Sequence, residues 1–296
     1  MHYDLPLWRP PSEARSLILQ VTLGCSHNRC SFCHMYVGKK FRVRPWADVA
    51  ADIDDAAGVY GNARRVFLAD GDPLAVGAPR LVQINETLWK RFPRLERIAT
   101  YATPQNVLRK SMDQLKRIRQ SGLSLLYFGV ESGDPEVLEA VHKGATVDQI
   151  AQAADRAHEA GFQLSCTVLL GLAGREGSER HARATGALIS RIGPAYASAL
   201  SIMVPEADEY RDYPLRAVPG DTPWLEMAPL ELVRELGWLV QELDCTDTTF
   251  RSNHASNYLP IGGHLPEDKP AMLRLIRTVL ETENQEALRP EWMRGL

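Results

Sequence analysis

Residues 16–33 read SLILQVTLGCSHNRCSFC, in which an apolar run is followed at once by three closely spaced cysteines. The apolar run, 16–23, predicts a buried β-strand, because short apolar stretches bounded by glycine are typical of strands in a parallel sheet. The cysteines follow as Cys25-x4-Cys30-x2-Cys33. Loops that leave the carboxyl ends of such strands build active sites in βα barrels. The sequence therefore predicts a metal site at the end of the first strand.

The pattern of a short apolar run followed by an amphipathic helix recurs along the chain. Strands are predicted at 16–23, 65–69, 95–101, 123–130, 162–170 and 195–204, and helices between them at 46–59, 79–91, 104–120, 146–160 and 178–192. Six successive strand–helix units predict parallel strands joined by right-handed crossovers. The predicted fold class is therefore α/β, a partial (β/α)6 TIM-like barrel with a C-terminal helical extension.

The same pattern predicts three regions. Residues 1–15 are an N-terminal extension, residues 16–205 the barrel core, and residues 206–296 a C-terminal loop and helical extension packing on the barrel. The start of the last region is rich in proline, aspartate and tyrosine, which predicts a long loop of a kind that is often functional. Two helices, 229–243 and 267–284, are predicted to follow it.

Composition and charge exclude several classes of function. The chain has 296 residues, 45% of them hydrophobic, and a formal net charge of −3, which provides no basic footprint for nucleic acid. No apolar run approaches the roughly 20 residues that span a bilayer, and the N-terminus lacks the pattern of an export signal. We therefore expect a cytoplasmic protein without nucleic-acid or membrane partners. Five cysteines, an odd number with three in one loop, indicate a metal site rather than a disulfide framework.

Four interpretations of the cysteine loop are open. Residues 30–34, CSFCH, match the motif for c-type haem attachment, although that attachment normally needs export. Three cysteines with His27 or His34 could form a tetrahedral zinc site, although zinc ligands usually come as two spaced pairs. Three thiols without any metal are the third interpretation. The fourth is a [4Fe–4S] cluster with three protein thiolates, which leaves one iron open because a fully ligated cluster uses four.

A three-cysteine loop after the first strand, with Phe32 just before the last cysteine, resembles the radical SAM superfamily. The similarity is to its coproporphyrinogen-oxidase-like and methylthiotransferase-like branches. The commonest family spacing is C-x3-C-x2-C, so this loop is one residue longer. The resemblance implies a [4Fe–4S] cluster held by Cys25, Cys30 and Cys33, with S-adenosylmethionine (SAM) as the second cofactor and Phe32 as a cofactor contact.

Two further strand ends match the family in the expected order. Asp70-Gly71-Asp72-Pro73 looks like the segment whose backbone holds the SAM amino group, although Asp-Gly also forms ordinary turns. Glu131 stands where the family binds the ribose hydroxyls, and Lys143 where a cation reaches the SAM carboxylate. A lone lysine is otherwise a solvated surface residue. The resemblance thus implies SAM contacts at both strand ends.

The last two matching positions concern the adenine of SAM. Gly171, after the fifth predicted strand, and Val204, at the end of the sixth, fall where the family meets adenine. Tyr101 stands where some relatives carry a SAM-contacting glutamate, so that contact cannot be carried over to this chain.

The resemblance implies reductive cleavage of SAM to methionine and a 5′-deoxyadenosyl radical, with flavodoxin or ferredoxin as the low-potential electron donor. A small-molecule substrate is predicted, because the sequence shows no second cysteine cluster, basic appendage or preceding cobalamin-binding region. His254 and Asn257 are candidates for substrate contact, and the alternative is that they cap a loop. A cluster-bearing haem-binding or haem-delivery protein and a structural zinc barrel are the alternative functions.

Overall fold

The computed structural model describes residues 1–203 and 226–295. Contacts within the chain divide it into two units. The first unit comprises Met1–Asn28, Cys33–Phe128 and Gln152–Leu164, and the second comprises Arg29–Phe32, Gly129–Ala151 and Ser165–Leu296. The cysteine loop therefore contributes Cys25 and Cys33 to the first unit and Cys30 to the second. The predicted region boundaries at residues 15 and 205 stay predictions.

Parallel strands form the centre of the first unit. They are β1 (Leu17–Gln20), β4 (Arg65–Ala69), β5 (Arg97–Ala102) and β6 (Leu123–Glu131), whose last residues belong to the second unit. Each pairs in parallel with the next in that order. Phe67 and Leu68 on β4 are completely buried, because a strand inside a parallel sheet is covered on both faces.

Helices and one short strand pair complete the first unit. The helices are α1 (Trp46–Tyr60), α2 (Ala78–Arg91), α3 (Pro104–Arg109), α4 (Met112–Gln120) and the greater part of α6 (Val147–Glu159). Strands β2 (Thr22–Leu23) and β3 (Arg42–Val43) pair antiparallel on either side of the cysteine loop. The loop therefore leaves from and returns to one two-stranded ladder.

The second unit continues the alternation of strands and helices. Its elements are α5 (Pro135–Ala140), β7 (Gln163–Leu170, which begins in the first unit), α7 (Gly174–Ile192), β8 (Tyr196–Ser201), α8 (Pro229–Glu242), β9 (Thr248–Arg251), β10 (Gly262–Leu265) and α9 (Lys269–Thr282). Strands β7, β8 and β9 are parallel, and β10 pairs antiparallel with β9. None of the helices in the described part of the chain is long and apolar enough to cross a membrane.

All six predicted strands are present, and the α/β class is confirmed. The predicted helix over 104–120 is two helices, because each has its own N-cap. Thr103 accepts a hydrogen bond from the Asn106 N–H, and Ser111 forms a reciprocal capping box with Gln114. The Ser-x-x-Gln pattern is a helix start signal that the apolar periodicity obscured.

The C-terminal region contains two strands in addition to the two predicted helices. Strand β9 continues the sheet of the second unit by pairing with β8 through Thr249 and Tyr196. Phe250 on β9 is 1% exposed, so this short strand is stabilised by burial. Strand propensity depends strongly on such tertiary neighbours, which explains why a four-residue strand between polar loops was missed.

Candidate functional site

The first half of the cysteine loop is anchored to the end of β4. Gly24 has a φ of +69°, which favours glycine because other residues are strained there. Its N–H donates a hydrogen bond of 2.9 Å to Asp70 Oδ2. A Cβ on Gly24 would lie 2.7 Å from the carbonyl oxygen of Lys39. The backbone just before Cys25 is therefore enclosed by β4 and by the returning end of the loop.

Gly71, in the predicted SAM-amine segment, lies directly against the first cysteine. A Cβ built on Gly71 would be 3.0 Å from the Cβ of Cys25 and 2.6 Å from Cε2 of Tyr36. Only a residue without a side chain permits this approach. The first unit thus brings together two elements that the sequence had assigned separately, a cluster cysteine and the backbone expected to bind the amino group.

Asp70 is a buried carboxylate held on one side only. Its Oδ2 accepts from Gly24 and lies 2.8 Å from Nζ of Lys39. Burial raises the pKa of Asp70, while Lys39, the Gly24 N–H and the Tyr36 hydroxyl oppose that rise. Its Oδ1 is buried and has no hydrogen-bond partner within the described chain. One oxygen next to Gly71 therefore still needs a donor.

Asp72, on the other side of Gly71, is a second buried carboxylate with one oxygen that lacks a hydrogen-bond partner among the described residues. It accepts hydrogen bonds from the Ser26 hydroxyl and the Asn106 amide. Burial raises the pKa of Asp72 to about 6, partly offset by Ser26 and Lys110. Its Oδ1 also lacks a partner in the residues described. Two buried acceptor oxygens on either side of Gly71 suit a cation with several N–H donors, such as an ammonium group.

Two tyrosines, Tyr36 and Tyr101, lie near Asp70, and neither was predicted to bind a cofactor. Burial raises the pKa of Tyr36 and of Tyr101, with Asp70 and Cys33 adding to both rises. The ring of Tyr101 stacks edge-on against Phe67, with centroids 5.0 Å apart. Both phenols therefore stay protonated near neutral pH.

In the second unit, Glu131 and Lys143 form one ion pair. Lys143 Nζ lies 2.8 Å from Glu131 Oε1, and the two side chains are 9% and 12% exposed. Glu131 has a φ of +65°, an uncommon conformation for a non-glycine residue and one that often marks a functional position. A Cβ on Gly129 would collide with the Glu131 carboxylate and lie 3.0 Å from Nζ. The residues predicted to contact the ribose and the carboxylate of SAM are therefore neighbours, and both lie close to Gly129.

The segment that carries Cys30 is fixed next to the Lys143 loop. The Ser31 N–H donates to the carbonyl of Val141 at 3.0 Å. Phe32 packs against an apolar cluster formed by Val137, Val141, Leu172 and Ala173. Phe32 was predicted to contact a cofactor. In the structure its side chain packs between the segment before Lys143 and the segment after Gly171, both of which carry predicted SAM contacts.

Gly171 follows β7 with a φ of +80°, and its N–H donates to Glu235 Oε1 at 2.8 Å. Glu235, on α8, was not predicted from the sequence because it is 64 residues away along the chain.

Val204 lies outside the described residues, so its predicted adenine contact stays a prediction. His34 is half-buried, and burial lowers its pKa.

Hydrogen bonds within the protein hold Asn257 to β8 and hold His254 within its own loop. Asn257 is 2% exposed; its Oδ1 accepts from the Ser201 hydroxyl at 2.8 Å, and its Nδ2 donates to Ala199 O at 2.7 Å. His254 Nδ1 accepts from the Ser256 N–H at 3.1 Å. Burial and Arg289 lower the pKa of His254. This geometry favours the loop-capping alternative over substrate contact for both residues.

Replacing Asn257 by alanine is accordingly expected to lower the free energy of unfolding by about 1–3 kcal/mol, because the Ser201 hydroxyl and the Ala199 carbonyl lose buried partners. Denaturant unfolding checks this, with Asn253→Ala as control because Asn253 is exposed in the same loop. Unchanged stability together with a loss of 5′-deoxyadenosine formation would instead assign Asn257 to the reaction.

The three loop cysteines differ in burial from the two cysteines outside the loop. All three loop cysteines are half-buried, whereas Cys166 and Cys245 are buried. Within residues 1–203 and 226–295, no three His, Cys, Asp or Glu side chains are placed closely enough to enclose a metal ion. The ligand set Cys25, Cys30 and Cys33 therefore stays a prediction, supported by its donor chemistry and by Gly71 beside Cys25.

A family model described as the radical SAM superfamily matches residues 19–183. The chain is similar to 4′-phospho-dehydrooxetanocin synthase of Priestia megaterium, with 26% identity over 155 residues, which are 45% of this chain and 20% of that protein. It is similar to the heme chaperone HemW of Bacillus subtilis (strain 168), with 22% identity over 115 residues, 38% of this chain and 30% of that protein. The matches thus span less than a third of each curated relative.

Among solved structures, the chain resembles coproporphyrinogen III oxidase (HemN) from Escherichia coli, described as a radical SAM enzyme. The TM-score is 0.55 at 17% identity, over 77% of this chain and 52% of that chain. This likeness shows the fold, and it confirms the partial (β/α)6 barrel predicted from the sequence. The whole activity of HemN, of which the match covers about half, does not transfer with it.

Proposed function

The chain belongs to the radical SAM superfamily, and from this premise we propose that it cleaves SAM reductively to act on a small molecule. The family uses a [4Fe–4S] cluster and SAM, so these are the cofactors of this chain. Membership of the family decides against the structural zinc and c-type haem interpretations of the cysteine loop. The reaction on substrate and a cytoplasmic location belong to the proposal.

The observation that carries the proposal is Gly71 packed against Cys25, with two partnerless carboxylate oxygens beside it. Cys25, Cys30 and Cys33 would hold the cluster. When bound, the cluster supplies the electron that breaks the sulfur–C5′ bond of SAM, giving methionine and a 5′-deoxyadenosyl radical. Asp70 and Asp72 would attract the SAM ammonium, since each has an oxygen that no described donor satisfies.

In the second unit, the Glu131–Lys143 pair would bind two other parts of SAM. Glu131 would accept hydrogen bonds from the ribose hydroxyls, and Lys143 would neutralise the carboxylate. Both side chains are nearly buried, so their charge-assisted bonds form in a poorly solvated place where they are strong. Gly171 would meet the adenine side. This division of roles binds and orients SAM and uses no proton transfer from the protein.

Two partners follow from this chemistry. Reduction of a low-potential cluster needs an electron donor of still lower or similar potential, for which flavodoxin or ferredoxin is proposed. A small-molecule substrate is proposed because the net charge of −3 offers no general attraction for nucleic acid.

The test is anaerobic reconstitution with iron and sulfide, followed by dithionite and SAM and by chromatography for 5′-deoxyadenosine and methionine. We expect about four irons per chain, as for one [4Fe–4S] cluster, and 5′-deoxyadenosine in an amount equal to the methionine. A protein that binds zinc and no iron would refute the proposal. Slow product formation without substrate is compatible with it, so the assay is run to long times.

Replacing Lys143 by methionine is expected to raise the Kd for SAM about 10- to 100-fold, because one charge-assisted hydrogen bond to SAM is lost. Equilibrium dialysis of labelled SAM against the reconstituted protein measures it. Lys116→Met is the matched control, because Lys116 pairs with Glu159 at 3.2 Å on the exposed surface. A Lys143→Met protein with normal iron content and unchanged Kd would remove Lys143 from the SAM site.

Haem binding is the second candidate function, favoured by the similarity to the heme chaperone HemW. Titration of the reduced, reconstituted protein with haem, followed by absorbance, tests it. Saturable binding at micromolar haem without SAM cleavage would favour haem delivery. SAM cleavage without haem binding would leave the enzyme proposal alone.

A further inference from the structure

A buried carboxylate on α8 has no part in the proposed cleavage of SAM. Glu235 is 0% exposed. Its Oε1 accepts the Gly171 N–H at 2.8 Å, and its Oε2 accepts the Ser178 hydroxyl. His181 Nε2 lies 3.6 Å from Oε1. Both oxygens of this carboxylate are thus directed at β7 and α7, the two elements next to the Gly171 turn.

A buried carboxylate at this position has a large desolvation cost. Burial disfavours its charged form and raises the pKa of Glu235, and His181, Ser178 and the Gly171 N–H oppose that rise. A leucine would fill the space without a desolvation cost. The benefit of Glu235 must therefore lie in the donors that it satisfies, above all the backbone N–H of Gly171.

The Gly171 turn is held from several sides. Its φ of +80° is one that side chains avoid, and an added Cβ would lie 3.0 Å from both Ile202 and Leu232. Its N–H is directed to Glu235 rather than into a helix or strand. A side chain from α8 therefore contributes to the orientation of the peptide that follows β7.

His181 extends the same buried cluster to the end of β6. Its Nε2 donates to the Leu169 carbonyl at 2.9 Å, and its Nδ1 is hydrogen-bonded to the Ser132 hydroxyl at 2.8 Å. Ser132 directly follows Glu131, and Leu169 is two residues before Gly171. One buried polar cluster, Ser132, Ser178, His181 and Glu235, therefore connects the ends of β6 and β7.

We propose that Glu235, supported by His181, is a positioning residue that holds the Gly171 turn in the orientation that binds the adenine side of SAM. This inference rests on the proposed function, which assigns Gly171 to the adenine side. Glu235 touches neither cofactor in this proposal and acts through the Gly171 peptide. The residues that contact SAM are thereby supported from α7 and α8.

The test compares Glu235→Leu, Glu235→Gln and the control Glu242→Gln in the reconstituted protein. Glu242 lies on the same helix and pairs with Arg183 at 2.6 Å. Three quantities are measured: iron content, the Kd for SAM by equilibrium dialysis, and the SAM concentration that half-saturates the change in the electron paramagnetic resonance spectrum of the reduced cluster. The spectrum at saturation reports whether the bound geometry is the same.

Glu235→Leu is expected to raise the Kd for SAM about 10-fold, the loss of one charge-assisted hydrogen bond, with normal iron content and an unchanged saturated spectrum. Glu235→Gln is expected to restore most of the affinity, because its amide oxygen still accepts the Gly171 N–H. Glu242→Gln is expected to match the wild type. Should Glu235→Leu not fold, Glu235→Gln and Ser178→Ala, which weaken the same acceptor without removing it, are expected to raise the Kd by a few-fold.

Three negative results are distinguishable. A wild-type protein that holds iron and binds no SAM overturns the proposed function. A wild-type protein that binds SAM, with the same Kd in folded Glu235 variants, overturns the positioning role alone. Parallel losses of iron, thermal stability and SAM affinity that Glu235→Gln does not reverse would show a structural role only, and would also overturn it.

Discussion

Replacing Cys30 by alanine is expected to reduce bound iron to background and to abolish 5′-deoxyadenosine formation. The reason is ligand count: a loop with three thiolates already leaves one iron of the cluster open, and two thiolates cannot retain it. Anaerobic reconstitution followed by iron and sulfide analysis, the absorbance of the cluster, and chromatography after SAM addition measure the effect. The same result is expected for Cys25→Ala and Cys33→Ala.

The controls are the two cysteines outside the loop. Cys166 is 0% exposed in β7, and burial raises the pKa of its thiol, so it stays protonated and is a poor metal ligand. Cys245 is also buried, with its pKa raised mainly by burial. Cys166→Ala and Cys245→Ala are expected to retain full iron and SAM cleavage. A cluster that persists in Cys30→Ala and is lost in Cys166→Ala would contradict the assigned ligands.

The strands and the positions of the candidate residues could be predicted because their signals are local. An apolar run such as 65–69 is buried on both faces whatever surrounds it, and the loop after it carries Asp70, Gly71 and Asp72 to a strand end. Glu131 and Lys143 were predicted as separate SAM contacts from their positions in the sequence, and their ion pair was not predicted. Local sequence patterns were therefore sufficient to predict the strands and to select the candidate site residues that follow them.

Side chains that act across the fold could not be predicted in this way. Tyr36 borders Gly71, and Glu235 meets Gly171 across 64 residues, but neither stands in a pattern that indicates its partner. A buried glutamate on an amphipathic helix looks like a surface charge until tertiary contacts are known. The same holds for β9, which is a strand because β8 lies beside it. Contacts of this kind are set by packing and not by neighbouring sequence.

Gly71→Val is expected to lower SAM affinity by more than about 100-fold, and Gly71→Ala by about 10-fold, because the space occupied by the new side chain belongs to the cysteine loop. A Cβ alone would be 2.6 Å from Tyr36 and 3.0 Å from both Cys25 and the Gly24 carbonyl. The backbone of Cys25 cannot retreat freely, because the Gly24 N–H is held by Asp70. The collision therefore displaces either the cluster loop or the peptide expected to bind the SAM amino group.

Gly77→Ala is the matched control, since a Cβ at Gly77 would meet nothing within 4 Å and the residue lies only six positions along the chain. Equilibrium dialysis of SAM and iron analysis are made on all three variants. Normal iron with weakened SAM binding in Gly71→Ala would place the defect at the amino-group segment, whereas loss of both would place it at the loop. SAM binding as tight in Gly71→Val as in Gly77→Ala would mean that SAM does not approach the backbone at Gly71, and the assignment of this segment to the amino group would then be wrong.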